Sequence, residues 1–528
     1  MVRFFLAVSV AFILLIGAGV GFLVFRDEKP DYDVPLNETV IPEFSMVEIP
    51  FHHIYQASRR IPYTAGAVID VDNDGVEELF LGGGVRQSDG LFVFTGEGFV
   101  NVADQVNLIK LGDDVTLGAA VIDFDNNGYQ DLVISRESGI WLYSNYDGKF
   151  EMERLDLGIP TRGVPLAVAV ADLNLDGHFD FFLPIVTRTS MFDWLSGPSE
   201  SSGIQPRLYI NNGDTTFFDS TESAGLDAMT EARQAIFLDL DDDGKEDLTV
   251  FHTDGTLSTW KNRDSLLFEN KHASLQGGYM GLGAGDYNSD GHVDFLLTNR
   301  GETLPQLFLK VIQSKRLDHF RNWILLKNKG YFSFEDAAKP TRLSGDELAR
   351  GSLFTDLNND GRTDLVVSQN HPYWLPHWLE RLRLPGRTLL QNQSGAFAEV
   401  GELTGLTNSE FGVAPLQADF NMDGLPDIIH LNLDGKSRIF LSKPGKNNYL
   451  IVQLDDSVRS LGATVYVKTL SGKTMKKIDL AGNALCSDSS HRLFFGLADD
   501  KAVDVIVEYS NGETDQTSGV LFNKKITF

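Results

Sequence analysis

The sequence is poor in cysteine, and this limits how the chain could be cross-linked. Its 528 residues contain one cysteine, Cys486, so no intramolecular disulfide can form. A CxxC zinc or redox site is excluded for the same reason. If the protein lies outside the cytoplasm, something other than disulfides must cross-link its loops, and bound calcium would do that.

Positive charge is also scarce. The chain has 45 lysines and arginines against 74 aspartates and glutamates, which gives a formal net charge of −29. This balance disfavours nucleic acid and anionic membrane surfaces as the main partners. It is compatible with cation binding or with simple solubility.

Known catalytic motifs are lacking as well. There is no GxSxG, HExxH or Walker loop, and no GxGxxG fingerprint in a strand-to-helix setting. Ser487, Asp488 and His491 are close in sequence but match no nucleophile motif. We therefore predict no catalytic residues and no organic cofactor, and expect that the protein is not an enzyme.

What the sequence does contain is an acidic nine-residue motif, present seven times. The stretch Asp239–Asp247 (DLDDDGKED) has acidic side chains at positions one, three, five and nine and glycine at position six. This spacing follows the start of a calcium loop, in which alternate side chains converge and glycine permits a sharp turn. The predicted metal ligands, 23 of them carboxylates, are Asp70, Asp72, Asp74, Glu78, Asp123, Asp125, Asn127, Asp131, Asp172, Asn174, Asp176, Asp180, Asp239, Asp241, Asp243, Asp247, Asp286, Asn288, Asp290, Asp294, Asp356, Asn358, Asp360, Asp364, Asp419, Asn421, Asp423 and Asp427.

The flanks of these loops distinguish them from EF-hands. An EF-hand has a helix on each side and glutamate at position twelve, whereas here position twelve is never acidic and short β-branched runs flank every loop. We therefore predict calcium loops within β-hairpins, with up to seven Ca²⁺ ions, one per loop. The alternative is acidic turns without metal, and the loop with Asn127 at position five is among the weaker candidates.

The repeats predict the fold. Each loop is followed by a third strand and, in most units, by a fourth segment that starts at a phenylalanine. Four strands per unit, repeated seven times, predict an all-β protein built on a seven-bladed β-propeller. No such phenylalanine segment follows the seventh loop, but Phe44–Tyr55 precedes the first. We predict that this N-terminal strand completes the last blade and closes the ring.

The regions outside the repeats set the domain boundaries. Residues 4–25 are 22 uncharged, mostly apolar residues, which as a helix would span about 33 Å and cross a bilayer. We predict a signal anchor or cleaved signal peptide at 1–29, a tether at 30–42, the propeller at 43–445 and a small β domain at 446–528. Insertions at 188–205, 301–321 and 371–386 interrupt the propeller. The last two carry apolar and basic residues at near-helical spacing. They are interpreted either as short helices packed on one face of the propeller or as a contact with a partner or a membrane surface.

These motifs resemble known families. The seven loops with their flanking strands resemble FG-GAP/VCBS repeats, the units of integrin-α-type propellers. The tail LGATVYVKTLSGK…HRLFFGLADDKAVDVIVEYSNGET resembles an ASPIC/UnbV domain. Together, over about residues 43–528, they resemble the architecture of the cartilage acidic protein 1-like (CRTAC) family. That resemblance implies an extracellular calcium-binding propeller used for adhesion or recognition, with no established catalysis.

The sequence thus predicts a calcium-binding propeller in the periplasm or outside the cell, anchored by its N-terminal helix or secreted if that helix is cleaved. Its expected role is recognition, adhesion or scaffolding, with an unidentified protein or glycan as partner and no nucleic acid. One alternative is a hydrolase or lyase that acts on extracellular glycan or lipid in the propeller's central pocket. Another is a periplasmic assembly factor.

Overall fold

The computed structural model describes residues 34–528 except 37–39, 56–60, 110–111, 189–203, 264–265, 274–278, 300–322, 344, 346–347, 371–384 and 483. Within this part of the chain, no helix is both long and apolar enough to span a bilayer. The predicted anchor at 4–25 and nearly all of the three predicted insertions lie outside the described residues.

The described chain is all-β, and seven four-stranded antiparallel sheets follow one another between Phe44 and Ser442. The first strand, β1 (Phe44–His52), belongs to the seventh sheet. The first sheet contains β2 (Gly66–Ile69), β3 (Glu78–Leu81), β4 (Gly90–Phe94) and β5 (Phe99–Asn101). The second contains β6 (Thr116–Ile122), β7 (Asp131–Arg136), β8 (Gly139–Tyr146) and β9 (Lys149–Arg154). In the third, a short pair, β10 (Gly163–Pro165) and β13 (Ile185–Thr187), accompanies β11 (Ala169–Ala171), β12 (Asp180–Leu183), β14 (Arg207–Asn211) and β15 (Phe217–Asp219).

The remaining sheets follow the same order. The fourth contains β16 (Ala232–Leu238), β17 (Asp247–His252), β18 (Leu257–Arg263) and β19 (Leu267–Ala273). The fifth contains β20 (Tyr279–Gly285), β21 (Asp294–Asn299), β22 (Ile324–Asn328) and β23 (Phe334–Asp336). The sixth contains β24 (Leu348–Thr355), β25 (Asp364–Asn370), β26 (Arg387–Gln391) and β27 (Phe397–Glu399). Besides β1, the seventh contains β28 (Gly412–Ala418), β29 (Asp427–Asn432) and β30 (Lys436–Ser442). The same region also contains a 3₁₀ turn (Ala103–Val106) and a short helix, α1 (Gly401–Thr404).

The innermost strands are built from small and β-branched residues, and this lets neighbouring sheets approach closely. In β2 (GAVI) and β6 (TLGAAVI) every residue is buried. A Cβ on Gly351 of β24 would lie 2.7 Å from the Cα of Ala414 in β28, so only glycine fits there. Innermost strands of neighbouring sheets are in contact where β2 meets β6, β11 meets β16, β20 meets β24 and β24 meets β28, and β2 of the first sheet contacts β28 of the seventh. The arrangement is therefore propeller-like.

The predicted closure by the N-terminal strand is confirmed. β1 pairs antiparallel with β30, with Phe44 opposite Ser442 and Val47 opposite Ile439. The seventh sheet consequently has the order β1-β30-β29-β28, with strands from both ends of the repeat region. The prediction that each acidic loop joins two strands of a hairpin is confirmed as well, for example between β2 and β3.

The C-terminal residues form two further sheets. The strands are β31 (Asn448–Gln453), β32 (Thr464–Thr469), β33 (Thr474–Ile478), β34 (Leu493–Ala498), β35 (Ala502–Glu508), β36 (Thr514–Leu521) and β37 (Lys524–Thr527). Their orders are β33-β32-β35-β36 and β34-β31-β37, in which β31 and β37 run parallel. Their apolar side chains form a core cluster of their own that includes Val465, Phe495 and Val505.

A connection between β33 and β34 reaches into the ring, and we call residues 484–490 the plug. The Asp488 N–H donates to the Gly66 carbonyl (3.0 Å), and the Ser490 N–H donates to the Gln417 carbonyl (3.0 Å). The Cys486 carbonyl accepts from the Ala119 N–H (3.3 Å). The plug therefore lies against the innermost strands of the first, second and seventh sheets.

Candidate metal sites

All seven acidic loops share one backbone conformation. The residue at position four is left-handed in every loop, with φ between 54° and 57°, and the glycine at position six has φ between 77° and 90°. In every loop the glycine N–H donates to the position-one carboxylate, over 2.7–3.1 Å. Position four includes Leu175 and Met422, residue types that rarely adopt positive φ. The shared geometry is therefore imposed by the loop and not by each residue's own preference.

Position nine fixes each loop to its sheet. One of its carboxylate oxygens accepts the N–H of position two over 2.8–3.1 Å in all seven loops. In the second to seventh loops the other oxygen accepts an N–H from the third strand over 2.6–2.9 Å. These six aspartates are fully buried, at 0% exposure. Position nine is thus a structural anchor whether or not a metal binds.

Acidic oxygens converge most closely in three loops. Ligand atoms from three acids lie within 4.8 Å of one another in the first, second and fourth loops, in the sets Asp70/Asp72/Asp74, Asp123/Asp125/Asp131 and Asp239/Asp241/Asp247. The buried Oδ1 atoms of Asp70 and Asp241 have no hydrogen-bond partner among the described residues. An all-oxygen set with an orphaned buried oxygen fits a hard divalent cation such as Ca²⁺. The second loop, which the sequence ranks among the weaker candidates, is one of these three.

The other four loops carry asparagine at position three. The Nδ2 groups of Asn174, Asn288 and Asn421 donate to the position-five carboxylate of the same loop, over 2.9–3.1 Å. In the sixth loop the Nδ2 of Asn358 donates instead to the Val40 carbonyl (2.8 Å). In three of these loops, therefore, the position-five carboxylate already accepts a hydrogen bond from the asparagine amide of its own loop.

An internal cation occupies part of the fourth loop. The ammonium of Lys261, on β18, pairs with Asp241 and lies 2.7 Å from Asp243. Lys327 pairs in the same way with Asp290 of the fifth loop (3.0 Å). The motif alone gives no sign of Lys261, because it lies 20 residues from Asp241 and is brought back by the sheet. The stretch with the most regular acidic spacing is thus partly neutralised by its own chain.

Burial makes the loop carboxylates costly to ionise without a cation. It raises the pKa of Asp70 to about 6, that of Asp131 to about 7 and that of Asp294 to about 8, and neighbouring loop acids add to each shift while backbone N–H donors oppose it. The same cause raises the pKa of Glu78 and Asp427 to about 8. A divalent cation among these groups would favour the ionised form and lower these pKa values.

The C-terminal sheets meet this acidic face through position eight. The guanidinium of Arg492 pairs with Glu77 (3.3 Å) and donates to the Gly75 carbonyl. The Nε2 of Gln130 donates to Asp456 (2.7 Å). Sequence reasoning missed these residues, since position eight has no role in the calcium motif. The only local signal was the presence of long polar side chains at that position in several loops.

Comparison with known proteins agrees with this geometry. Models of the FG-GAP-like repeat match residues 123–183 and 239–297, and the model of the ASPIC and UnbV domain matches residues 456–528. The chain therefore carries FG-GAP repeats and an ASPIC/UnbV domain, as its resemblance to these families indicated.

Three curated relatives share parts of the chain. Integrin alpha-7 of Mus musculus is 30% identical over 151 residues, which is 27% of this chain and 12% of that protein. The T-cell immunomodulatory protein homolog of Plasmodium falciparum (isolate 3D7) is 21% identical over 319 residues, 57% of this chain and 42% of that protein. Cartilage acidic protein 1 of Xenopus tropicalis is 25% identical over 334 residues, 57% of this chain and 47% of that protein. The chain thus spans less than half of the length of each.

A solved chain from a BBS1N–ARL6DN complex has a similar structure, with a TM-score of 0.44 at 11% identity, over 76% of this chain and 98% of that chain.

Proposed function

We propose that the seven sheets are the blades of a calcium-binding, seven-bladed β-propeller that serves as an extracytoplasmic recognition, adhesion or scaffold module. One observation carries this proposal: seven loops with the same φ pattern and the same glycine-to-aspartate hydrogen bond hold acidic side chains at one edge of the ring. Such repetition is unnecessary for seven ordinary turns but follows directly if each loop has the same ligand.

Asp70, Asp72 and Asp74 in the first loop and Asp123, Asp125 and Asp131 in the second would hold the tightest ions, since their acidic oxygens converge and, among the described residues, no lysine forms an ion pair with them. Bound calcium would cross-link the two strands of each hairpin, a role that disulfides cannot fill in a chain with one cysteine. Because the ion binds the folded loop and hardly the unfolded one, it would stabilise the ring by mass action.

Metal counting tests the calcium component. The full chain is dialysed against micromolar calcium and the bound metal is measured by mass spectrometry. We expect at least two Ca²⁺ per chain, and the loss of one ion in Asp125→Asn. Asp104→Asn, which removes an exposed carboxylate from the 3₁₀ turn, is the matched control and should bind as many ions as the wild type. Fewer than one ion per chain would refute calcium binding.

The recognition role is favoured over the hydrolase or lyase alternative. The alternative needs an open central pocket, whereas the plug places Leu485 and Cys486, both almost fully buried, in one cluster with innermost-strand residues. The relatives include an integrin subunit and a cartilage acidic protein, which favours an extracellular, non-enzymatic module. We further propose a protein or glycan partner, and anchoring through residues 4–25.

Binding and turnover can be separated in one experiment. The secreted form of residues 30–528 is applied to a glycan array and to a panel of extracellular protein domains, and the hits are then incubated with it and analysed for cleavage. Saturable binding that needs calcium and leaves the ligand intact supports the module. Cleavage of a bound glycan or lipid would support the enzyme instead.

A further inference from the structure

Two arginines lie at the end of the ring opposite the acidic loops. Arg233 and Arg350 are in the innermost strands β16 and β24, and each is six residues before the first aspartate of its loop. At about 3.3 Å per residue, this places them about 20 Å from the loops. Both therefore belong to the mouth of the ring that the C-terminal sheets do not cover.

Arg350 is buried, with 5% of its surface exposed. Its guanidinium lies 5.3 Å from the ring centre of Tyr63 and 5.2 Å from that of Phe411, residues that precede the innermost strands of the first and seventh sheets. It donates one hydrogen bond, to the Pro62 carbonyl, and its buried Nε has no partner. The side chain thus extends from the sixth sheet to two others and leaves a donor unused.

Neither arginine forms an ion pair with a carboxylate of the described residues. Three arginines are buried among the described residues; Arg136 pairs with Asp89 (2.6 Å) and Arg492 with Glu77 (3.3 Å), but Arg350 pairs with no acid. The partly exposed Arg233 has one weak hydrogen bond, from Nη1 to the Tyr279 carbonyl (3.5 Å). In a chain with a net charge of −29, carboxylates are not scarce. Among the residues that the structure describes, none of them pairs with these two guanidiniums.

The charges of the two guanidiniums also act on each other. Burial lowers the pKa of Arg350, and the positive charge of Arg233 lowers it further. Both charges act on the thiol of Cys486 in the plug, whose pKa burial raises to about 12. Two like charges that act on each other, one of them buried, are costly unless a negative group lies between them.

We propose that Arg233 and Arg350 form an oxyanion-binding site at this mouth of the ring, with Tyr63 and Phe411 as aromatic walls. A guanidinium presents two parallel N–H donors that match a carboxylate or a sulfate group, and the unused Nε of Arg350 supplies one of them. The ligand is a small acid or a molecule that inserts one carboxylate or sulfate group. The site is independent of calcium and of the proposed adhesive role.

Calorimetric titration of the calcium-saturated full chain tests this site. Sodium sulfate and sodium acetate are titrated separately at constant ionic strength, with sodium chloride as the reference. Heat of binding is measured, and not melting temperature, because sulfate stabilises many proteins by exclusion from their surface. We expect one saturable site per chain for at least one of the two anions, and the tighter anion identifies the ligand as a sulfate or as a carboxylate.

Two variants and one control complete the test. Arg233→Gln and Arg350→Gln should each weaken binding at least about tenfold, the loss expected for one charged hydrogen bond. Arg86→Gln removes an exposed guanidinium that pairs with Asp113 and should bind as the wild type does. If Arg350→Gln fails to fold, Arg233→Gln decides, since its side chain is partly exposed. No saturable heat with either anion, or unchanged affinity in Arg233→Gln, would overturn the proposal.

Discussion

Replacing Ile49 by alanine tests how the ring is closed. Ile49 lies in β1, the N-terminal strand, and is fully buried in a cluster that includes Ile439 of β30 and Phe92 of β4. It therefore joins the seventh sheet to the first, in addition to the contact between β2 and β28. Removing its side chain leaves a cavity between β1 and the residues of these two sheets that pack against it.

Truncation of a buried isoleucine to alanine costs about 2–5 kcal/mol. A loss of about 3 kcal/mol would reduce the folded-to-unfolded ratio more than about a hundredfold. The assay is urea denaturation of the full chain in calcium, followed by tryptophan fluorescence and far-ultraviolet circular dichroism. If the ring unfolds as one unit, both signals should shift together to lower urea.

Met46 offers a control within the same strand. It pairs opposite Phe440, yet 49% of its surface is exposed. Met46→Ala should change the free energy of unfolding by no more than about 0.5 kcal/mol. If Ile49→Ala is as stable as Met46→Ala, then β1 does not hold the ring closed, and the account of closure is wrong.

Three further predictions concern the loops and the plug. A Cβ on Gly424, at φ +83°, would lie 1.9 Å from the ring of Tyr449, whereas a Cβ on Gly128, at φ +86°, would meet nothing within 4 Å. The melting temperature of Gly424→Ala should therefore be well below that of Gly128→Ala, and equal melting temperatures would contradict this packing. Asp488→Ala leaves the buried Val121 N–H without its acceptor and should cost about 1–3 kcal/mol in urea denaturation; a wild-type midpoint would show that the plug does not stabilise the ring. Burial raises the pKa of several position-nine acids to about 7 or 8, so the folded chain binds protons more tightly than the unfolded chain, where the pKa is about 4. In chelator, the urea midpoint should therefore rise as the pH falls from about 8 to about 5; a midpoint that falls over this range would show that the loop acids do not dominate the pH dependence.

Periodic features of the structure are predictable from the sequence. The loop motif recurs with glycine always at position six, and the positive φ at position six of all seven loops follows from that glycine. The closing strand is predictable because the seventh unit lacks a fourth segment while Phe44 starts one before the first loop. These features can be recognised because each unit has the same local sequence pattern, so the units can be compared with one another.

Features that depend on distant contacts were not predictable. The Ser487 hydroxyl accepts the Gly66 N–H from 421 residues away, and no local pattern indicates that partner. Lys261 enters the fourth loop from the neighbouring strand β18, so the motif with the best acidic spacing is the one with an internal cation. Arg350 is likewise an ordinary strand residue in sequence, and only the fold shows that it is buried without an acidic partner among the described residues.

The proposed function depends most on calcium binding by the acidic loops, which would stabilise the ring. The most direct test is the melting curve of the full chain at pH 7.5 in 2 mM calcium, compared with the curve in excess chelator and with a magnesium control. Calcium at about a hundred times its dissociation constant should add about 2.7 kcal/mol per site, so calcium should raise the melting temperature by several degrees or more, and magnesium much less. Superimposable curves in calcium and in chelator would contradict the account.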